Sequence, residues 1–103
     1  AVHYYDGSHK FGIMDHKASY AKGSSQTIKN RSYLKKFHKS QPSLDIGDAL
    51  IHNCLVVHGS SANKSNKSRQ GWTIQFKDKK AKYDLKQKKI YEDSLTKQIK
   101  KRS

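Results

Sequence analysis

The sequence is poor in cysteine, in proline and in long apolar runs. Its single cysteine excludes a disulfide within the chain, which favours a reducing compartment and a cytoplasmic location. No apolar run approaches the roughly 20 residues that a membrane-spanning helix needs, so no membrane span is expected. Hydrophobic residues make up only 33% of 103 residues, which is little for an independent core. We therefore expect one domain at most and, because the sequence begins with Ala rather than Met, a fragment whose N-terminal part is missing.

Acidic residues and arginines are also scarce. Lysine and arginine total 22 against 8 acidic residues, which gives a net charge of +14. Only Arg31, Arg69 and Arg102 are arginines, although specific phosphate and base recognition favours arginine. Lysines spread through a whole chain are typical of a solvated surface. Nucleic acid is therefore not the expected partner, and a basic nucleic-acid-binding module stays an alternative.

The first 43 residues predict one short strand and a long loop. Val2 to Tyr5 has a strand composition, and Asp6-Gly7 is a strong turn former. Residues 15–43 are rich in Ser and Lys and show no sustained period. We expect a loop there, with a short helix near Tyr33 to Phe37, and such a loop could cover a substrate.

Two later segments have strand patterns. Residues 49–57 form an almost uninterrupted apolar run, which predicts a buried strand with an inert Cys54 inside it. Polar and apolar residues alternate over residues 69–76, which predicts a second strand with Arg69 on its polar face. The polar segment between these strands would then be the loop of a hairpin.

The chain ends in a basic segment with a helical pattern. Tyr91, Leu95 and Ile99 are four residues apart and would form a narrow apolar stripe on a helix from about Asp84 to Lys101. We expect this helix to dock by that stripe and to turn its lysines to water.

The hairpin carries the strongest indication of function. Arg69 follows His58 by eleven residues, so each would lie at one end of the loop. A neutral imidazole is a common ligand of iron and similar metals, and a guanidinium suits a carboxylate held by two hydrogen bonds. The hairpin could therefore hold a metal ion and an acid side by side.

Three pieces of the sequence occur in an order that resembles a known family. They are Gly7-Ser8-His9-Lys10, Gly47-Asp48-Ala49-Leu50-Ile51-His52, and His58-Gly59-Ser60 with Asn63, Ser65 and Arg69. Together they resemble the C-terminal half of the phytanoyl-CoA dioxygenase family, whose members are non-haem Fe(II)/2-oxoglutarate oxygenases. The resemblance covers roughly residues 1 to 77. Asp6 departs from it, because proline is common at that position in the family.

The resemblance implies the roles of three residues. His58 would be the third iron ligand, Arg69 would bind the far carboxylate of 2-oxoglutarate, and Ser60 could donate its hydroxyl to the same acid. Fe(II), 2-oxoglutarate and O2 are the implied cofactor and co-substrates, and no further catalytic residue is assigned. The implied fold is mainly β: a partial double-stranded β-helix, or jelly roll, over residues 1–77, followed by a basic helical tail over residues 78–103.

The family's other two iron ligands form a His-x-Asp motif that this sequence lacks. On a straight strand, His52 and His58 would be about 20 Å apart, too far to share a metal ion. We therefore expect the fragment alone to be inactive and to need the missing N-terminal half of its domain. The complete protein would hydroxylate a small or lipid-like substrate; a halogenase or a non-catalytic relative on the same fold is the alternative.

Overall fold

The computed structural model describes residues 2–103, which separate into two compact units. One unit contains the residues up to His16 together with Ile28–Asn66, and the other contains Lys17–Thr27 and Lys67–Ser103. The regular elements are β1 (Val2–Tyr5), β2 (His16–Ala18), β3 (Gln26–Ile28), β4 (Lys39–Ser40), β5 (His58–Ser60) and α1 (Leu85–Arg102), with 3-10 helices at Ser8–Phe11 and Arg31–Lys36.

Strand β1 is the centre of a three-stranded sheet. It pairs antiparallel with β4 on one side and with β5 on the other. Tyr4 lies opposite His58, and His3 lies opposite Gly59. Since paired residues of an antiparallel sheet share a face, Tyr4 and His58 project from one face while His3 projects from the other. The strand predicted at Val2 to Tyr5 and the turn after it are confirmed.

The carboxylate of Asp6 fastens β1 to β4. It accepts hydrogen bonds from Ser40 Oγ at 2.5 Å and from His38 Nδ1 at 3.0 Å, and the backbone N–H of Asp6 donates to the His38 carbonyl at 2.8 Å. The hydrogen bond from Ser40, followed by that from His38, lowers the pKa of Asp6 below its ordinary value. Asp6 therefore has a structural role at the position where the family commonly has proline.

Replacing Asp6 with asparagine is expected to destabilise the first unit in a pH-dependent way. Because the folded-state pKa is lowered, the Asp6 carboxylate contributes stability above its ordinary pKa of 3.8, and this contribution is lost as the pH falls through the folded-state value. The urea midpoint of unfolding should be lower for Asp6→Asn than for the wild type near neutral pH. In acid, the midpoints of the two proteins should become equal. Asp15→Asn, at another exposed position, is the control, and a difference that grows in acid would contradict this role for Asp6.

The prediction of a strand at residues 49–57 is wrong. Asn53 forms a turn inside the apolar run: its Oδ1 accepts from Leu55 N at 2.9 Å, and its carbonyl oxygen accepts from Val56 N at 3.1 Å. An asparagine side chain that binds backbone N–H groups two residues on competes with strand pairing. Ile51 is consequently exposed, and Cys54 is exposed rather than buried.

The prediction of a strand at residues 69–76 is wrong as well. This segment lies outside every helix and strand of residues 2–103, and Trp72 and Phe76 are each 90% exposed. A strand needs a neighbour for its hydrogen bonds and a second layer for its apolar face. Within residues 2–103 no strand pairs with this segment, and Trp72 and Phe76 stay uncovered, so the alternating pattern alone does not produce a strand.

The predicted loop at residues 15–43 contains more structure than its composition indicates. β2 and β3 form a two-stranded sheet within it. The short helix expected near Tyr33 is the 3-10 helix Arg31–Lys36, which begins where Asn30 Oδ1 accepts from Ser32 N at 3.1 Å. Leu34 of this helix is the buried apolar residue of the described chain.

Helix α1 confirms the prediction of a C-terminal helix but not of its docking face. Asp84 Oδ1 accepts from Gln87 N at 3.1 Å and so caps the N-terminus. Gln98, rather than the predicted stripe, is fully buried; its Nε2 donates to the Ser25 carbonyl at 2.8 Å and its Oε1 accepts from Tyr20 N at 3.2 Å. Of the predicted stripe, Leu95 is half-buried, whereas Tyr91 and Ile99 stay 39% and 56% exposed. This face of the helix is therefore docked through hydrogen bonds of a polar side chain.

The fold prediction is thus confirmed for short antiparallel strands and a C-terminal helix. Residues 2–103 form no closed barrel or complete jelly roll, because the larger sheet contains only three strands. Within the same residues, the helices are too short or too polar to cross a membrane.

Candidate metal and co-substrate site

His58 begins strand β5, and a backbone hydrogen bond fixes the orientation and tautomer of its ring. Nδ1 lies 3.0 Å from the Val56 carbonyl oxygen. A carbonyl oxygen only accepts, so Nδ1 carries the hydrogen and Nε2 of the neutral ring keeps its lone pair. Metal-binding histidines commonly have such a second partner on the other ring nitrogen. The side chain is exposed, and it is therefore accessible to a ligand.

The Gly7-Ser8 turn holds the residue immediately before His58. Ser8 is fully buried, and its Oγ accepts a hydrogen bond from Val57 N at 2.8 Å. The Val57 carbonyl accepts from Tyr5 N at 3.0 Å. Gly7 allows the tight approach because its φ is 78°, a conformation that favours glycine. The first motif of the sequence thus positions the third one.

Replacing Ser8 with alanine is expected to loosen the start of β5. The Val57 N–H would lose its partner in a partly buried place, which costs about 1–2 kcal/mol of folding free energy. Hydrogen exchange at the Val57 amide should accelerate in Ser8→Ala. Ser68→Ala, at an exposed position, should leave that rate unchanged. Equal protection of the Val57 amide in the wild type and Ser8→Ala would show that Ser8 does not hold it.

Gly59 has a packing reason to be glycine. A Cβ atom there would lie 3.2 Å from Nε2 of His3, on the face of the sheet opposite His58. Burial of His3, followed by the positive charge of Lys39, lowers the pKa of this imidazole. The glycine of the His-Gly-Ser run thus leaves room for the neighbouring imidazole of His3.

His52 lies against His58, which overturns the separation of about 20 Å expected on a straight strand. The ring centroids are 4.8 Å apart, because the turn at Asn53 folds the chain back between them. Tyr4 Oη is 2.9 Å from Nδ1 of His52. Burial, followed by the positive charge that His58 carries when it is protonated, lowers the pKa of His52. Asn53, a turn former inside an apolar run, was the sequence signal for this arrangement.

An open concavity of about 480 Å³ lies on the first unit. Tyr4, His9 and His52 are among its lining residues. Its volume is within the range of small-molecule sites. The imidazole of His52 is therefore open to a ligand from this side.

The other two predicted site residues lie in different units. Ser60 follows His58 by two positions on β5 and so shares its face of the sheet. Arg69 belongs to the second unit and is an exposed residue outside every helix and strand of residues 2–103. Asn63 stabilises the intervening loop, since its Oδ1 accepts from Ser65 N at 3.0 Å. The convergence of His58 and Arg69 remains a prediction.

Comparison with known protein families shows to which family the chain belongs. The family model of phytanoyl-CoA dioxygenase (PhyH) matches residues 1–71. The chain belongs to the phytanoyl-CoA dioxygenase family. The matched range includes all three motifs from Gly7 to Arg69, and the resemblance predicted from them is confirmed. No curated protein and no solved structure matches the chain significantly.

The phytanoyl-CoA dioxygenase family is generally dependent on Fe(II) and 2-oxoglutarate, so the donor set of this chain can be compared with that need. Such a site uses two histidines and one carboxylate. In residues 2–103 no three His, Cys, Asp or Glu side chains are grouped so that they could hold a metal ion. His58 fits one position of the set, because its Nε2 lone pair is available and its ring is fixed through Nδ1. The described residues therefore offer imidazole donors without the full set.

Proposed function

We propose that the chain is the C-terminal part of a non-haem Fe(II)/2-oxoglutarate-dependent dioxygenase that hydroxylates a small or lipid-like substrate. The observation that carries this proposal is the family match over residues 1–71, which includes His58, Ser60 and Arg69. In this proposal residues 1–77 belong to the β core of the oxygenase, and residues 78–103 form a basic helical tail.

His58 is the proposed third ligand of the metal. The hydrogen bond from its Nδ1 to the Val56 carbonyl oxygen supports this role, because it fixes the tautomer that leaves Nε2 unprotonated. Ser8 supports it indirectly, since the Ser8 hydroxyl binds the Val57 amide next to the ligand. The chain thus orients the imidazole before a metal ion binds. This preorganisation lowers the entropic cost of metal binding.

Arg69 is the proposed anchor of 2-oxoglutarate. Its guanidinium can donate two parallel hydrogen bonds to the carboxylate of 2-oxoglutarate that is remote from the metal. Ser60, on the same face of β5 as His58, can donate its hydroxyl to the same acid. When bound, the metal would promote the reaction of 2-oxoglutarate and O2 with the substrate, which yields succinate and CO2 and places one oxygen atom in succinate and the other in the new hydroxyl group of the substrate.

Exposed apolar side chains support the proposal that further residues complete the domain. Ile46 and Ile51 are fully exposed in the first unit, and Trp72 and Phe76 are 90% exposed in the second. Apolar residues of this size are normally covered by another layer of the same fold or by a partner. We propose that the N-terminal half of the domain covers these exposed apolar side chains. The same half would also supply the His-x-Asp ligands.

Succinate formation tests the proposal. The 103-residue chain with Fe(II), 2-oxoglutarate and O2 should form no succinate. The same chain extended upstream through a His-x-Asp segment should form it in an Fe(II)-dependent way. An extended chain that carries His-x-Asp and forms no succinate would contradict the dioxygenase assignment. If a small residue replaces the aspartate, halide incorporation becomes the reaction to measure, because family halogenases lack that carboxylate to make room for halide.

A further inference from the structure

Helix α1 is docked within the second unit through one of its faces. Gln98 Nε2 donates to the Ser25 carbonyl at 2.8 Å, and Arg102 Nη2 donates to the Ser24 carbonyl at 2.9 Å. Tyr91 Oη donates to Ser25 Oγ at 3.3 Å. These contacts fix the rotation of the helix about its axis, and they therefore determine which of its side chains face outward.

The outward face of α1 carries a lysine row. At about 100° per residue, the charged positions of this row lie within an arc of about 80° on the side away from Gln98, and they extend about 21 Å along the helix. All of them are exposed. Lys89 Nζ lies 3.4 Å from the carboxylate of Asp93, which is the acidic member of the row. The lysine row consists of Lys86, Lys89, Lys97 and Lys100 together with Asp93, so it keeps a net positive charge.

Two exposed aliphatic side chains flank the lysine row. Leu85 is 75% exposed and Ile90 is 54% exposed, and each lies within about 40° of a lysine of the row. Lysines beside apolar side chains are typical of helices that lie on anionic membranes, because the ammonium groups meet lipid phosphates while the apolar groups enter the headgroup boundary. We propose that this face of α1 binds the surface of an anionic membrane, with the helix lying parallel to it.

The composition of the face favours lipid over nucleic acid. The lysine row contains no arginine, whereas phosphate and base recognition in nucleic acids favours the planar guanidinium. No aromatic side chain lies among these lysines, although single-stranded nucleic acid is normally stacked on aromatic rings. An anionic membrane needs only a density of positive charge, which flexible lysines supply. None of these residues takes part in the proposed dioxygenase reaction, so the membrane contact and the reaction are tested separately.

Co-sedimentation of the 103-residue chain with lipid vesicles tests the lysine row. The chain should bind vesicles of equal parts phosphatidylserine and phosphatidylcholine, should bind pure phosphatidylcholine at least about tenfold more weakly, and should lose affinity as salt is added. Each lysine near an anionic surface contributes about fivefold in affinity, so the double variant Lys97→Gln/Lys100→Gln should bind roughly 25-fold more weakly. Unchanged binding in this variant, or equal binding to both kinds of vesicle, would overturn the proposal.

Lys88 and Lys89 provide a matched pair of single variants. Both are exposed, and both form an ion pair with the acidic residue four positions on, at 3.6 Å for Lys88 and 3.4 Å for Lys89. Only Lys89 belongs to the lysine row, since the ammonium group of Lys88 lies over the ring of Tyr83, 4.8 Å from its centroid. Lys89→Gln should weaken vesicle binding about fivefold.

Lys88→Gln is the control and should bind vesicles nearly as the wild type does. The helix with its side chains is about 10 Å thick, so a charge on its far side lies beyond the screening length of about 8 Å at physiological salt. Equal losses in Lys88→Gln and Lys89→Gln would indicate an effect of net charge and overturn the lysine row as a binding face. A chain that ignores vesicles but binds single-stranded RNA through the same lysines would overturn the lipid partner in favour of nucleic acid.

Discussion

Replacing His58 with alanine is expected to abolish Fe(II) binding in the chain extended upstream through a His-x-Asp segment. Loss of an outer partner of a metal-bound histidine costs about 10- to 100-fold in metal affinity, so loss of the ligand itself should cost more than about 100-fold. The side chain is exposed, so the variant leaves no buried cavity and the fold should persist. Anaerobic calorimetry with Fe(II) measures the affinity, and circular dichroism checks the fold.

His16→Ala is a closely matched control for His58→Ala. His16 is also exposed, and its Nδ1 also lies near a backbone carbonyl two residues earlier, at 3.1 Å from Met14 O compared with 3.0 Å from Val56 O for His58. Both substitutions therefore remove the same local hydrogen bond, and only one removes the proposed ligand. Equal Fe(II) affinity in the two variants would contradict the role of His58.

Replacing Arg69 with alanine is expected to weaken 2-oxoglutarate binding while Fe(II) affinity stays unchanged. Hydrogen bonds to a charged partner contribute about 1.5–3 kcal/mol, so the loss should be about 10- to 100-fold. Calorimetric titration of the metal-loaded, upstream-extended chain with 2-oxoglutarate under anaerobic conditions measures this loss of affinity.

Two variants distinguish a specific clamp from a general charge effect. Arg69→Lys keeps the positive charge but loses the planar fork, so it should recover only part of the affinity. Arg31→Ala removes an exposed arginine of the 3-10 helix and should bind 2-oxoglutarate as the wild type does. A similar loss in Arg31→Ala and Arg69→Ala would indicate an effect of net charge on an anionic ligand, and not a clamp at Arg69.

The local elements of this chain were predictable where a short signal decides the structure by itself. Val2 to Tyr5 forms β1 because a strand composition ends at an Asp-Gly turn. Helix α1 begins after Asp84 because its side chain caps the first turn. The three motifs also predicted the family, and the family match includes them.

The remaining structure depends on contacts that the sequence pattern does not encode. The apolar run at residues 49–57 satisfies a strand pattern, but the turn at Asn53 takes precedence and brings His52 to His58. Residues 69–76 alternate as a strand should, yet no strand pairs with them in residues 2–103. Gln98 is buried because backbone groups at Ser25 and Tyr20 satisfy its amide, a long-range contact that helical periodicity alone does not reveal.

The central claim is that His58 and Arg69 act on one bound molecule of 2-oxoglutarate, and the coupling between metal and co-substrate tests it most directly. Calorimetric titration of the upstream-extended chain with 2-oxoglutarate, in the presence and absence of Mn²⁺ as a redox-stable substitute for iron, measures that coupling. We predict that Mn²⁺ tightens binding more than about tenfold, that His58→Ala removes this gain, and that Arg69→Ala weakens binding both with and without the metal. Binding of 2-oxoglutarate that is the same with and without Mn²⁺, or that is unaffected by both substitutions, would contradict the claim.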